Sequence, residues 1–376
     1  MRRAPLVAVL AAAGLLAGCS SEMPSGPEKG LSDNRIRAVQ ADIDRLVADG
    51  VVGAIATVTG DGATVVLTSG ESDLATHTKM PAEPRQRTRI GSITKTFTSA
   101  VLLQLVAEGK LRLDEPVDTY LPGLLTGPGI DGQVITVRQV LRHQSGLPEL
   151  TEDPRIDEYR AALRHRTMTA AEEVAIVLTM PADFAPGTRY EYSNTNYIVA
   201  GMLVEKITGA PYVEELTRRI LTPLELSDTY LPGPGELDIR GPHPKGYDEI
   251  DGVRTDVSRI EPSVPWSAGA LVSTGTDLNR FFTALLAGKV VPANELREMR
   301  AGVPMGDEAD GMSYGLGLGE VELPCGADYV GHTGEIYGYL TVSGATPDGR
   351  AVTYAFNTKT KSEPDLIGLL GDALCP

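Results

Sequence analysis

The stretch that most constrains this chain is FTSAVLLQLV, residues 97–106. Wound as a helix it is apolar on most faces, so it belongs in the middle of a fold rather than on its surface. The helix starts near Ser92, in RIGSITKTFTSAVLLQLVAEGKLRLDE. Before it, residues 35–49 carry Ile36, Val39, Ile43, Leu46 and Val47 at helical spacing. VVGAIATVT and ATVVLTSG then read as strands, joined by the hairpin signal Gly60-Asp61-Gly62. From about 116 to 264, helical pieces such as ITVRQVLRHQ, AAEEVAIVLTM, NYIVAGMLVEKITG and PYVEELTRRI alternate with Pro/Gly-rich loops. Beyond Trp266 come the helical TDLNRFFTALLAGK, strand-like SYGLGLGEVEL and YLTVSGATPDGRAVTYAFN, and helical EPDLIGLLGDAL. This order predicts an α/β (α+β) lobe drawn from both ends of the chain, residues 34–115 and 265–376, and a mainly helical lobe between them.

A formal net charge of -16 with no basic cluster argues against a nucleic-acid partner, which needs a basic surface. The first residues read as a targeting segment. MRR is a positive start, PLVAVLAAAGLLAG an apolar run too short to span a bilayer comfortably, and Leu16-Ala17-Gly18-Cys19 looks like a bacterial lipobox. The expectation is a signal peptide over 1–18, lipidation at Cys19, a flexible tether over 19–33, and a lipid-anchored extracytoplasmic domain over 34–376. The alternative is an ordinary secretory signal with a chance cysteine. Cys325 and Cys375 then remain, an even count for an oxidising compartment, and they are expected to pair rather than stay as two buried thiols. The loop closed would be worth about 4 kcal/mol by chain entropy.

Ser92 and Lys95, at i and i+3, share one helix face. A hydroxyl is a poor nucleophile until a base takes its proton, and an amine can do so once burial and a helix N-terminus lower its pKa. The same helix start offers the Ser92 N–H to an oxyanion. Alone, S-x-x-K is a weak signal. Two further segments carry chemistry-bearing residues. Tyr192-Ser193-Asn194 precedes a helix, where a phenol can shuttle a proton and an amide can grip a substrate, or where Ser193 or Asn194 simply caps the helix. His332-Thr333-Gly334 opens a strand, and its plain reading is a turn before an edge strand.

Taken together, S-x-x-K, Y-x-N and H-T-G in this order and at these separations resemble the serine penicillin-recognising enzymes. The resemblance is to the branch of class C β-lactamases and low-molecular-mass D-alanyl-D-alanine carboxypeptidases. It extends over about residues 35–376 through APGTRYEYSNTNYIVAGMLVEKITG and SAGALVSTGTDLNRFF. It implies a β-lactamase/transpeptidase-like fold, an antiparallel sheet flanked by helices, with no cofactor or metal. Ser92 would be the nucleophile, Lys95 the amine that helps deprotonate it, Tyr192 its partner in moving the proton to the leaving group, with the base either Lys95 or Tyr192, and Asn194 a donor to the substrate amide. His332 and Thr333 would line the opposite wall, and Glu335, directly after Gly334, would give the second oxyanion N–H. Trp266, the single tryptophan, would wall the acyl pocket or pack in the core.

This chain departs from that pattern where a carboxypeptidase holds its substrate's terminal carboxylate. No Lys or Arg lies between Arg300 and Arg350, while Glu320, Glu322, Asp328 and Glu335 do. Glu335 would repel a carboxylate, and by the same charge it would hold His332 protonated. A cation from the helical lobe, such as Arg189, would change this. The expected function is therefore a serine acyl-enzyme hydrolase, in the first instance D-alanyl-D-alanine carboxypeptidase-like. The alternatives are an esterase or a D-amino-acid amidase or aminopeptidase on the same fold, or a non-catalytic penicillin-binding lipoprotein. Its partners would be small peptides, esters or β-lactams, with the protein monomeric and touching the membrane only through its lipid. A rival reading, the α/β-hydrolase elbow Gly311-Met-Ser313-Tyr-Gly315, needs a strand before it and a helix after it. His77, His143, His165 and His243 show no metal-ligand spacing and read as structural or solvated.

Overall fold

The computed structural model describes residues 31–306, 311–360 and 364–376. The expected signal segment, 1–18, and the expected lipidation site, Cys19, lie outside the described residues. Among those described, no helix is long and apolar enough to cross a membrane. Residues 31–33, expected as the end of a tether, belong to the folded domain: Leu31 is buried in the core, and Ser32 caps helix α1 (Asp33–Ala48) by accepting from the Arg35 N–H.

Nine antiparallel strands form one sheet: β1 (Gly53–Gly60), β2 (Ala63–Asp73), β3 (Thr78–Lys79), β4 (Val303–Pro304), β5 (Ser313–Tyr314), β6 (Gly319–Glu322), β7 (Asp328–Ile336), β8 (Tyr339–Ala345) and β9 (Ala351–Phe356). Their order is β4-β5-β6-β7-β8-β9-β1-β2-β3. The first hairpin closes through Asp61 and Gly62, both at positive φ, with Gly60 paired to Ala63. A two-residue loop of that backbone matches the twist of the strands it joins, which is why Asp-Gly sits there. β1 then pairs with β9, Ala54 opposite Phe356, so the two ends of the chain share one sheet.

Side chains alternate between the two faces of the sheet. One face, with Ala54, Ala56, Val58, Val342, Val352 and Tyr354, is covered by α1 and the last helix α5 (Leu366–Leu374). The other carries α4 (Gly275–Leu286), and inside it α2 (Thr94–Ala107), whose Phe97 stacks on Phe281 at 3.7 Å. α2 is buried on all sides, as its sequence requires, and its polar residues are bonded: Thr96 donates to Gly317 O at 2.6 Å and Thr98 to Ser267 O at 2.7 Å. A buried hydroxyl left without such a partner would cost about 1–3 kcal/mol. α3 (Thr195–Thr208) packs across α2. Residues 116–264 also contain two short ladders, Thr126–Gly127 with Ile130–Asp131 and Tyr247–Ile250 with Val253–Asp256, which the helical reading of that stretch did not include. Cys325, in the turn between β6 and β7, is disulfide-bonded to Cys375 just after α5.

Candidate active site

Ser92 stands in a 3₁₀ turn, Gly91–Ile93, that runs straight into α2. The turn is held from several directions. Ile90 N–H bonds to Leu271 O at 3.0 Å, Thr94 Oγ1 donates to Gly91 O at 2.7 Å, and the buried Arg89 guanidinium donates to Ser258 O at 3.1 Å. Gly91 has φ +50°, and a Cβ there would stand 2.7 Å from the Glu335 backbone nitrogen; a Cβ on Gly334 would stand 3.0 Å from Ser92 N. The turn and β7 thus touch backbone to backbone, which only glycine at both positions permits. This contact sets the Ser92 and Glu335 amides side by side.

Lys95 is wholly buried, and its Nζ has three partners: Ser92 Oγ at 2.9 Å, Asn194 Oδ1 at 2.7 Å and Ala268 O at 2.8 Å. Two of these can only accept. A neutral amine therefore gives its two N–H bonds to Asn194 and Ala268 and turns its lone pair to the Ser92 hydroxyl. Burial lowers the Lys95 pKa to about 7, against the opposing pull of the Glu149 carboxylate. Asn194 sits at the N-terminus of α3 but does not cap it; its side chain is spent on Lys95 and on donation to Glu149 Oε1 at 3.0 Å, while its backbone N–H bonds to Glu149 Oε2 at 2.5 Å. One side-chain N–H of Asn194 is left for a substrate.

Tyr192 lies under this group, its ring 4.9 Å from Lys95 Nζ and stacked at 4.2 Å on the His143 imidazole. Burial raises its pKa well above the usual phenol value, partly offset by a hydrogen bond with Ser92, so it rests as a neutral phenol. His143, read as structural or solvated, is fully buried and begins a chain of bonds across the site. Ser193 N–H donates to His143 Nδ1 at 3.1 Å, which leaves the proton on Nε2, 3.2 Å from the Tyr314 hydroxyl. Tyr314 in turn lies 3.0 Å from His332 Nε2, and His332 Nδ1 faces Thr333 O. One assignment satisfies every member: His143 donates to Tyr314, Tyr314 to His332, and His332 to Thr333. Both imidazoles are then neutral, and burial agrees, holding His332 down at about 3. Glu335 does not protonate His332. The expectation failed because it weighed the carboxylate and not the desolvation, which is the larger effect.

Glu335 itself is half exposed and paired with Lys359 at 2.5 Å. The acidic crowd is neutralised from just outside the interval that lacks cations: Arg300 holds Glu320 at 2.6 Å and Asp328 at 3.4 Å. Arg189 is committed to Glu191 at 2.6 Å and stacks on Phe184. Trp266 packs edge-on against Tyr212 at 5.5 Å, among core side chains, and does not line the cleft; what its segment brings to the site is the carbonyl of Ala268. Ser313 lies on β5 with an acidic stretch before it in sequence and a strand after it, so the Gly311–Gly315 elbow is absent. Among the described residues no cluster of His, Cys, Asp and Glu could hold a metal.

Two cavities meet at Glu335. One, of about 380 Å³, holds Ser92 and Tyr192 and is walled by Tyr190, Met305, Met312, Tyr314 and Tyr329. The other, of about 260 Å³, is polar and lined by Thr151, Glu158, Tyr159, Tyr337 and Lys359.

Residues 39–373 match the family model described as Beta-lactamase. The chain belongs to the beta-lactamase family. Within it, this family member is a serine hydrolase with the β-lactamase/transpeptidase-like fold. It superposes on a D-stereospecific amidohydrolase from Streptomyces sp. with a TM-score of 0.83 and 37% identity, over 92% of this chain and 99% of that one. A D-amino acid amidase from Ochrobactrum anthropi SV3, complexed with L-phenylalanine amide, follows at TM-score 0.73 and 29% identity, covering 86% and 92%. An N-acetylmuramyl-L-alanine amidase from Bacillus subtilis is 32% identical over 211 residues, 53% of this chain and 46% of the relative. The beta-lactamase-family domain thus spans about half the length of that curated relative.

The sequence singled out Ser92, Lys95, Tyr192, Asn194, His332, Thr333, Gly334 and Glu335, and the fold brings all eight to this cleft. It missed Glu149, His143, Tyr314 and the Ala268 carbonyl. His143 and Glu149 open and close the stretch HQSGLPE, but neither belongs to a spaced motif, and a carbonyl has no signature in sequence.

Proposed function

We propose that this protein is a serine amidohydrolase that cleaves amides or esters of D-amino acids, rather than a D-alanyl-D-alanine carboxypeptidase. The observation that carries this reading is the state of three cations near the cleft among the described residues. Arg300, Lys359 and Arg189 are each paired with a carboxylate, and His332 is neutral. A substrate ending in a carboxylate would have to break one of these pairs to be held, and an amide or ester would not. The likeness to the Streptomyces and Ochrobactrum enzymes, over nearly their full lengths, points the same way. The polar cavity beyond Glu335, lined among the described residues by the carboxylates of Glu158 and Glu335 and the one ammonium of Lys359, suits an acyl group that carries an ammonium.

In the proposed reaction Ser92 Oγ attacks the acyl carbon while its proton passes to the neutral Lys95 amine. The oxyanion meets the N–H groups of Ser92 and Glu335. The leaving nitrogen takes a proton from the Tyr192 phenol, which recovers one from the Lys95 ammonium, and water reverses the sequence on the acyl-enzyme. Lys95 and Tyr192 titrate as a coupled pair.

The test compares initial rates on the D- and L-forms of one aminoacyl amide and on a D-alanyl-D-alanine peptide with a free C-terminus. The expected order is D-amide, then L-amide, then peptide acid. A peptide acid cleaved faster than the D-amide would return the carboxypeptidase reading.

A further inference from the structure

Ser92 and Tyr192 stand in one of two cavities of opposite character that meet at Glu335, and the position of Tyr192 says which part of a substrate belongs in each. The proton that frees a leaving group must come from a group beside it. Tyr192 shares the 380 Å³ cavity with Ser92, does not line the polar one, and is kept neutral by burial. The leaving group therefore sits in the first cavity and the acyl group extends past Glu335 to the second.

We propose that the 380 Å³ cavity is a leaving-group pocket for an apolar, aromatic-sized amine or alcohol without a carboxylate, read by Tyr190, Met305, Met312, Tyr314 and Tyr329. The inference rests on the acyl-transfer roles given above. An apolar cavity of about 150 Å³ already accommodates benzene, so there is room here for an aromatic ring and its linker. The walls are chemically suited to one. Tyr314 and Tyr329 are buried and rigidly placed: the Tyr329 hydroxyl donates to Ser343 O at 2.9 Å, and Tyr314 is fixed between two imidazoles. Met305 and Met312 supply flexible, polarisable surface that adapts to a ring. Among the described residues, the ionisable groups lining this cavity are the phenols, the neutral His332, and Glu335 paired with Lys359, and none of them calls for a charged leaving group. A pocket of this kind exceeds what the release of ammonia requires. It turns a hydrolase of simple amides into one that prefers to cut before an apolar residue or an aromatic amide.

The experiment holds the acyl group at D-alanyl and varies what leaves: ammonia, benzylamine, phenylalanine amide, or phenylalanine with its free carboxylate. Wild type is expected to cleave the benzylamide and the phenylalanine amide with kcat/KM on the order of 10- to 100-fold above the plain amide, through burial of the ring. The free acid should be the poorest. Met312→Ser should shrink that preference, read as a fall of about threefold or more in the ratio of kcat/KM for the benzylamide to that for the plain amide. Met312→Lys should raise the free acid relative to the phenylalanine amide. Binding of the same four compounds to Ser92→Ala protein, measured by calorimetry, reads the pocket without turnover. The proposal is overturned if plain amide and aromatic leaving groups are bound and cleaved alike, or if the free acid is preferred. Failure of every D-alanyl substrate to turn over would sink the amidohydrolase reading instead, and the order of binding would still decide the pocket.

Discussion

The two walls of the cleft are built on different terms. On the side of α2 and α3, Lys95, Asn194, Glu149 and the Ser92 hydroxyl are bonded to one another, buried or nearly so, and each has one arrangement that satisfies it. On the side of β7, Glu335 and Lys359 are each about half exposed and, among the described residues, paired with each other. The first wall fixes a proton's path. The second decides what lies against it, and its pairs are weak enough to be rearranged by a substrate.

Substitutions should therefore act on rate at the first wall and on choice of substrate at the second. The largest effect is expected from Ser92→Ala, which should remove turnover by roughly four orders of magnitude or more while the protein stays folded. Activity within tenfold of wild type would mean that the covalent reading is wrong. Next comes Lys95→Met, expected to cost about 10²- to 10⁴-fold in kcat/KM, the range of a general base.

The pH profile sharpens the same point. With its pKa lowered to about 7, Lys95 is charged and unable to accept a proton below that pH, and neutral above it. Acylation of a small ester should rise with pH through about 7 and then level. His332, at about 3, and the raised Tyr192 add no limb between pH 5 and 9. In Glu149→Gln the negative charge that favours the Lys95 ammonium is gone, so the rise should move to lower pH; a shift upward, or none, would detach Glu149 from Lys95.

The contrast between the walls also explains what could be read from sequence. The catalytic wall was legible because its chemistry is local: Ser92 and Lys95 are three residues apart, and Tyr192 and Asn194 two. The order of strands and helices followed from periodicity and from one Asp-Gly turn. The electrostatics of the other wall were not legible. Glu335 is neutralised by Lys359, which reaches it from beyond two further strands, and Glu320 by Arg300, from the helix before β4. Counting charges along residues 300–350 described the strand and missed its counter-ions. Likewise His332 looked protonatable because its neighbour in sequence is an acid, and only the packed structure shows how little water reaches it.

Smaller effects test this second wall. Tyr314→Phe removes the hydroxyl that joins His143 to His332 and leaves two buried ring nitrogens short of a partner. It should cost about 1–3 kcal/mol of stability in denaturant titration, with a larger KM and little change in the pH of the acylation limb. Glu335→Thr frees Lys359 and should raise kcat/KM for carboxylate-terminated peptides, by about fivefold at most, since an exposed pair is worth about 0–1 kcal/mol. A small neutral ester should hardly respond. If both substrates change together, Glu335 acts on the fold and not on the choice of substrate.

The pairing of α1 with α5 on one face of the sheet has a practical bearing. Both helices lie on the face opposite α2, with the disulfide to Cys325 pinning the second one down. The described chain thus enters at Leu31 and leaves at Pro376 behind the sheet, while Ser92 opens on the other side. A bead, a fusion partner or a surface joined directly at Leu31 or at Pro376 would stand at the back of the molecule, and the cleft would point away from it. Immobilised protein should then keep its access to bulky substrates, whichever end is used as the handle.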